Sequence, residues 1–334
     1  MQKKIIALAI AAAFSAPVVA MADVSLFGSF DAGYASTKDT AGISTTGMST
    51  GTYATNNWGF KGSDDLGDGM KSTFQIESGF ATNSGDGKTI GDRGIAVGLS
   101  AGWGAVVLGG NQYSTSFKVN KNFDPLGYKY IAVTGMGAVA AGANGRHDND
   151  VAYTGQFGNV QVIADKTFNV SVDGNSVGNT TAVGAVYKSG AISAGASYST
   201  TEKKVVQAGI VAANAPVFGE NAAVTAAAAV TAMSVGAGFN FGDGSVSALY
   251  NSSKADGATD STVTTVVGAT YNVSNKIGVG AALYNQALGS VDAYKRTMLS
   301  ATYALSKKTT AYAAYTSESV FSTTGYAVGL NAAF

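Results

Sequence analysis

The sequence predicts an all-β chain that closes into a transmembrane antiparallel β-barrel of about sixteen strands. Three observations predict it: an export leader at the N-terminus, segments of about ten residues with period-two alternation, and connections that alternate between short and long.

The leader spans residues 1–22. Lys3 and Lys4 give a positive start, Ile5 to Phe14 an apolar stretch, and Ala20-Met21-Ala22 a small-residue cleavage site. Ser15, Pro17 and the lack of a stop-transfer flank argue against a membrane anchor. Removing these 22 residues from the 334 leaves a barrel domain of 312, residues 23–334, beginning at Asp23.

Beyond Asp23 no run of about 18 apolar residues occurs, so helical membrane spans are not expected; Ala222 to Met233 comes nearest and is interrupted by Thr225 and Thr231. There is no cysteine, so an exported chain must stand without disulfides, and thiolate metal sites are excluded. The 44 glycines and 3 prolines stand beside 16 tyrosines and 15 phenylalanines, too aromatic a composition for a solvated coil. Taking Lys3 and Lys4 from the 21 basic residues leaves 19 against 21 acidic, a balance with no footprint for nucleic acid.

The alternation is legible segment by segment. Val24, Leu26, Gly28, Phe30, Ala32 and Tyr34 share one face; Ser25, Ser29, Asp31 and Gly33 share the other, with Phe27 out of pattern. Phe74 and Ile76 oppose Lys71, Thr73, Gln75 and Glu77. Val263, Thr265, Val267, Ala269 and Tyr271 oppose Thr262, Thr264, Gly268 and Asn272, and the final segment reads Tyr326, Val328, Leu330, Ala332, Phe334. A soluble sandwich alternates as well. Aromatics closing the apolar face at segment ends, the unequal connections and an in-register terminal phenylalanine favour the membrane.

Short connections fall at 64–69, 101–104, 157–159, 188–190, 242–244, 273–276 and 305–308. Their Gly, Asn and Asp suit tight hairpins. Long connections fall near 36–51, 81–91, 112–145, 169–179, 200–228, 254–261, 286–293 and 317–324. Strand ends within 200–232 are not readable from the pattern. A barrel of this size is too wide for side chains to fill. The longest loop, about Gln112 to Gly145, is the segment expected to narrow it.

These residues resemble the trimeric general porins of Gram-negative bacteria. The resemblance rests on Trp58-Gly59-Phe60-Lys61-Gly62-Ser63-Asp64-Asp65-Leu66-Gly67, on Val97-Gly98-Leu99-Ser100 with Gly102-Trp103-Gly104 and Leu108-Gly109, on Arg146 before Asp148-Asn149 with Val151 and Tyr153, and on Tyr303-Ala304-Leu305-Ser306-Lys307-Lys308-Thr309 with the terminal Phe334. It implies sixteen strands, a homotrimer with one pore per chain, a third loop folded into the lumen, and a constriction where loop acids face wall arginines. Residue by residue it makes Arg146 a wall arginine and Asp124, before Pro125, a loop acid. The chain departs from the pattern where it has Asn57, Gly110, Asn111 and Asn331-Ala332-Ala333 in place of basic residues, and its arginines are only Arg93, Arg146 and Arg296.

Strand parity places Asp31, Asn57, Lys61, Gln75, Glu77, Arg146, Asp148 and Asp150 on the lumen face, where pore-lining charge acts on passing ions. Any of them could equally be solvated wall. The expectation is that Arg146 opposes Asp124 across the constriction. Lys118, Lys121 and Lys129 are read as solvated loop charges or as a basic loop edge. His147 falls on the opposite parity, near the outer rim, with no metal role expected. Asp64, Asp65 and Asp68 lack calcium-loop spacing and read as a polar turn. One histidine without cysteine offers no catalytic set, and no cofactor motif is present.

The resemblance implies an outer-membrane channel for passive diffusion of small hydrophilic solutes and ions, in contact with lipid. The alternative is a non-conducting surface structural or adhesive β-protein, suggested by low charge and the alanine-rich 205–232 region.

Overall fold

A computed structural model describes residues 23–130, 145–168, 178–202 and 228–334. The expected leader and most of the alanine-rich region lie outside the described residues. The first half of the chain forms β1 (Asp23–Lys38), β2 (Ser44–Thr50), β3 (Asn57–Gly67), β4 (Met70–Gly79), β5 (Gly94–Ala101), β6 (Gly104–Gly110), β7 (Gln112–Tyr113), helix α1 (Thr115–Asn120), β8 (Arg146–His147), β9 (Asp150–Phe157) and β10 (Val160–Thr167). The second half forms β11 (Thr180–Ser189), β12 (Ile192–Thr201), β13 (Val230–Phe241), β14 (Gly244–Ala255), β15 (Thr262–Asn272), β16 (Ile277–Leu288), β17 (Val291–Ala304), β18 (Thr309–Glu318) and β19 (Thr323–Ala333).

Apart from the small β7–β8 pair, all strands belong to one antiparallel sheet that closes on itself. The seam is β1 against β19, in register from Ser29 opposite Ala333 to Lys38 opposite Thr324. It is extended by Phe334 N–H donating to Gly28 O (3.1 Å) and Gly28 N–H donating to Phe334 O (3.3 Å). β2 and β3 are two halves of one crossing, since β1 pairs with β2 from Ala32 onward and with β3 up to Ser29. The result is a closed barrel of sixteen crossings.

All seven expected short turns are present, with Asp68, Gly158, Gly190 and Gly242 taking positive φ in them. The first long loop is shorter than expected. β1 and β2 continue as a hairpin to Lys38 and Ser44, turned by Asp39, whose carboxylate accepts from Ala41 and Ile43 N–H. Thr, Ser and Gly predominate there, with Ile43 and Met48 the exposed apolar exceptions.

The predicted outward faces are the exposed ones. Val24, Leu26, Phe30 and Tyr34, then Val267 and Tyr271, then Tyr326, Val328 and Leu330 all remain uncovered. Trp103, Phe157, Tyr187, Phe241, Tyr271 and Tyr303 cluster near the short-turn rim. Water would not tolerate an apolar belt of this extent, whereas lipid requires one, bordered by aromatics at the interface. Among the described residues no helix is long and apolar enough to cross a membrane; the crossing is made by strands.

Between β2 and β3 the chain leaves the sheet at residues 51–56 and wraps Asp31, which is fully buried. The Asp31 carboxylate accepts from Thr52 N–H (2.8 Å), Tyr53 N–H (3.2 Å), Ala54 N–H (3.2 Å) and the Tyr312 hydroxyl (3.0 Å). Asn56 completes the wrap, its Oδ1 accepting from Asp31 N–H and its Nδ2 donating to Asp31 O. The excursion carries Tyr53 into the lumen, stacked on Tyr312 with centroids 5.4 Å apart. Asp31→Ala would strip acceptors from three amides and a buried hydroxyl. The expected loss is on the order of 3 kcal/mol, read as a lower temperature for loss of the compact, heat-modifiable barrel on a gel.

Candidate functional site: loop 3 and the lumen wall

The chain between β6 and β9 turns inward, as expected for the third loop. Ser114 caps α1, its hydroxyl accepting from Phe117 N–H (3.1 Å). Asp165 on β10 accepts from Thr115 N–H (2.6 Å) and ties the start of the helix to the wall. From there to Tyr130 the loop runs along the inner faces of β10–β18. Its buried apolar side chains, Val119, Phe123, Leu126 and Tyr130, form one cluster with inward-pointing Val186, Leu249, Val266, Tyr284, Met298 and Tyr312. Val266 and Met298 are fully buried on a face that should be polar in an open barrel, because the loop covers them.

Glycines on β11, β12, β13 and β16 make room for this approach. A Cβ on Gly184 would meet Val119 Cγ2 at 2.7 Å, one on Gly195 Phe123 Cε2 at 2.6 Å, one on Gly236 the Phe123 ring, and one on Gly280 Leu126 Cδ2 at 2.7 Å. The far end of the described loop is pinned by Tyr53. Tyr130 meets it edge-on at 5.6 Å, and Lys129 lies 4.1 Å over its ring while donating to its hydroxyl (2.6 Å).

The opposite wall, β1 and β3–β6, stays polar. Ser25, Lys61, Thr73, Gln75 and Gln112 line a recess of about 400 Å³, and Lys61 reaches it exposed, 5.4 Å from the Phe27 ring. Above it Glu77 is a hub. It accepts from Arg93 Nε (2.6 Å), Asn57 Nδ2 (2.8 Å) and Gln75 Nε2 (3.4 Å). Arg93 also donates to the Tyr113 hydroxyl (3.4 Å), and Arg146 lies 3.8 Å over the Tyr113 ring while donating to Asn111 O (2.7 Å). Glu77, Asn57, Arg146 and Arg93 therefore form one cluster at the root of the loop. Arg93 was not singled out by strand parity, because it lies in the long loop before β5 rather than in an alternating segment.

Asp124, expected among the loop carboxylates that oppose Arg146 across the constriction, does not face the lumen. Asp124 is buried beneath the loop, accepting from Leu126 N–H (2.8 Å) and from the Tyr284 hydroxyl (3.2 Å). Burial raises its pKa above the usual carboxylate range, against the lowering effect of those bonds. Asp31 is likewise consumed by its wrap rather than presented to the pore. Asp148 is exposed and accepts from Asn111 N–H (2.8 Å).

His147 departs from expectation, and Asp150, inward on β9 as expected, is buried rather than presented to the pore. Asn149 adopts φ 50°, which breaks the alternation, so His147 is buried rather than at the rim and shares a buried site with Asp150 and Asp165. His147 Nδ1 and Asp165 Oδ2 are 3.0 Å apart. Among the described residues this trio is the group whose donors converge closely enough to hold a metal. Lys118 stands near it; burial lowers its pKa and attraction to Asp150 and then Asp165 opposes the shift. Lys121 and Lys129 are exposed on the loop.

A closed barrel with an apolar outer belt, a polar inner wall and an inward-folded loop defines a hollow transmembrane barrel of the outer membrane. The family model described as Gram-negative porin matches residues 7–320, and the chain belongs to that family. It is 34% identical over 173 residues to an outer membrane porin protein of Bordetella pertussis, covering 46% of this chain and 44% of that protein. It is 33% identical over 172 residues to outer membrane porin protein 32 of Delftia acidovorans, covering 47% of each. The match thus spans less than half the length of either relative. Among solved structures, an anion-selective porin from Comamonas acidovorans superposes with TM-score 0.77 at 24% identity, over 94% of this chain and all of that one. An outer membrane protein of Vibrio cholerae in a trimer form superposes with TM-score 0.68 at 16% identity, over 94% of this chain and 99% of that one.

Gly236→Val tests the docking of the loop. The added methyls displace Phe123 at a cost of about 1–3 kcal/mol. The expected outcome is a barrel that still forms but has a higher single-channel conductance.

Proposed function

We propose that the chain is a water-filled channel for passive diffusion of small hydrophilic solutes and ions, with a preference for anions. The observation that carries this reading is the asymmetry of the lumen charges. Four acids there are bound internally, Asp31 by its wrap, Asp124 beneath the loop, Glu77 by Arg93, and Glu318 by Lys295, Val320 and Phe321 N–H, while Asp148 stays exposed. Bases reach water instead. Lys61, Lys121 and Lys129 are exposed. A pore selects by its diameter and by the charge at its narrowest part, so mobile cations meet bases and mobile anions find counter-charge. The anion-selective neighbour supports the same direction.

The chain acts as a channel rather than an enzyme, since the family's named members are porins and the lumen presents solvated charge rather than a dry pocket. Residues 1–22 serve as a cleaved leader, residues 23–334 as the barrel domain, and the working form is a homotrimer in contact with lipid, in line with the trimer-form neighbour. A non-conducting surface protein would have no use for a polar inner wall.

The test is the reversal potential of the refolded protein in a planar bilayer under a salt gradient. An anion-selective sign is expected, moved toward cations by Lys61→Glu. A cation-selective sign would overturn the preference, and correctly inserted barrels that do not conduct would overturn the channel.

A further inference from the structure

We propose that His147, Asp150 and Asp165 form a binding site for a divalent ion of the zinc class at the root of loop 3. The three side chains come from β8, the start of β9 and the end of β10, and each offers a donor atom within 4.8 Å of the others. The 3.0 Å between His147 Nδ1 and Asp165 Oδ2 is close to the separation of two donors on one ion with bonds of about 2.1 Å. A small rotation of the Asp150 side chain closes the remaining gap.

The second observation is independent of the clustering. Asp150 is 2% exposed, yet both of its carboxylate oxygens have no hydrogen-bond partner. A carboxylate buried in this way is strongly unfavourable unless a charge compensates it. Lys118 compensates through space, but donates no hydrogen bond to Asp150. Asp165 is occupied on one side, accepting from Thr115 N–H through Oδ1, which leaves Oδ2 toward the cluster.

One imidazole and two carboxylates suit zinc, with water from the lumen in the remaining position; calcium would need six to eight oxygens. A bound ion would join three strands and, through Asp165 and Thr115, the start of α1. It would fasten the loop where it leaves the wall. Lys118 is the internal competitor for the same negative charge.

The experiment is calorimetric titration of zinc chloride into the full, chelator-stripped barrel in detergent. Saturable binding of one ion per chain is expected, weakened at least tenfold in Asp150→Asn and in His147→Gln and tightened in Lys118→Met. His147 lies outside the barrel sheet, so its replacement leaves closure intact and gel migration verifies this. Native protein that does not saturate at one ion per chain, or either ligand variant binding zinc as the native does, would overturn the site.

Discussion

A sheet that crosses lipid must satisfy every backbone amide and carbonyl from within itself, because the hydrocarbon offers no partner. The β1–β19 seam is where this chain meets that demand, and everything else about the molecule follows from closing there. Sixteen crossings enclose a lumen that side chains cannot fill. A loop enters that lumen. That loop needs an apolar surface to lie on, and the inner faces of β10–β18 provide one through Val186, Val266 and Met298.

The two inner walls are therefore built to different rules. Where the loop docks, inward positions are apolar or glycine, and the packing resembles a soluble core. Where it does not, Ser, Thr, Gln, Lys and Glu take inward positions beside Phe27, Ala96 and Val107. Asp31 links the walls. Its wrap presents Tyr53, and Tyr53 holds the loop through Tyr130 and Lys129. A residue that reads as pore-lining charge is instead a strut beneath the loop's far anchor.

Alternation and turn chemistry made the strands, their outward faces and the seven short turns legible, because each depends on neighbours in sequence. The second crossing was legible only in part: nothing in Gly51 to Asn56 announces an excursion, since its partner Asp31 lies about twenty residues earlier. The glycines of the docking surface were ambiguous for a similar reason. A small inward residue looks the same whether it faces water or Phe123. Parity misplaced His147 because it assumes extended backbone throughout, and Asn149 is left-handed. Arg93 and Asp124 could not be placed at all by parity, as both sit in loops whose path is set by tertiary contacts.

Whether loop 3 sets the aperture is best decided by the size limit for neutral sugars entering liposomes. Ser114 N–H donates to Gly145 O at 3.2 Å, so the loop can be removed by joining these two residues without straining the barrel. If the docked loop is the constriction, the shortened barrel admits oligosaccharides that the native barrel excludes. The same size limit in both would contradict it and place the narrowest point on the wall itself.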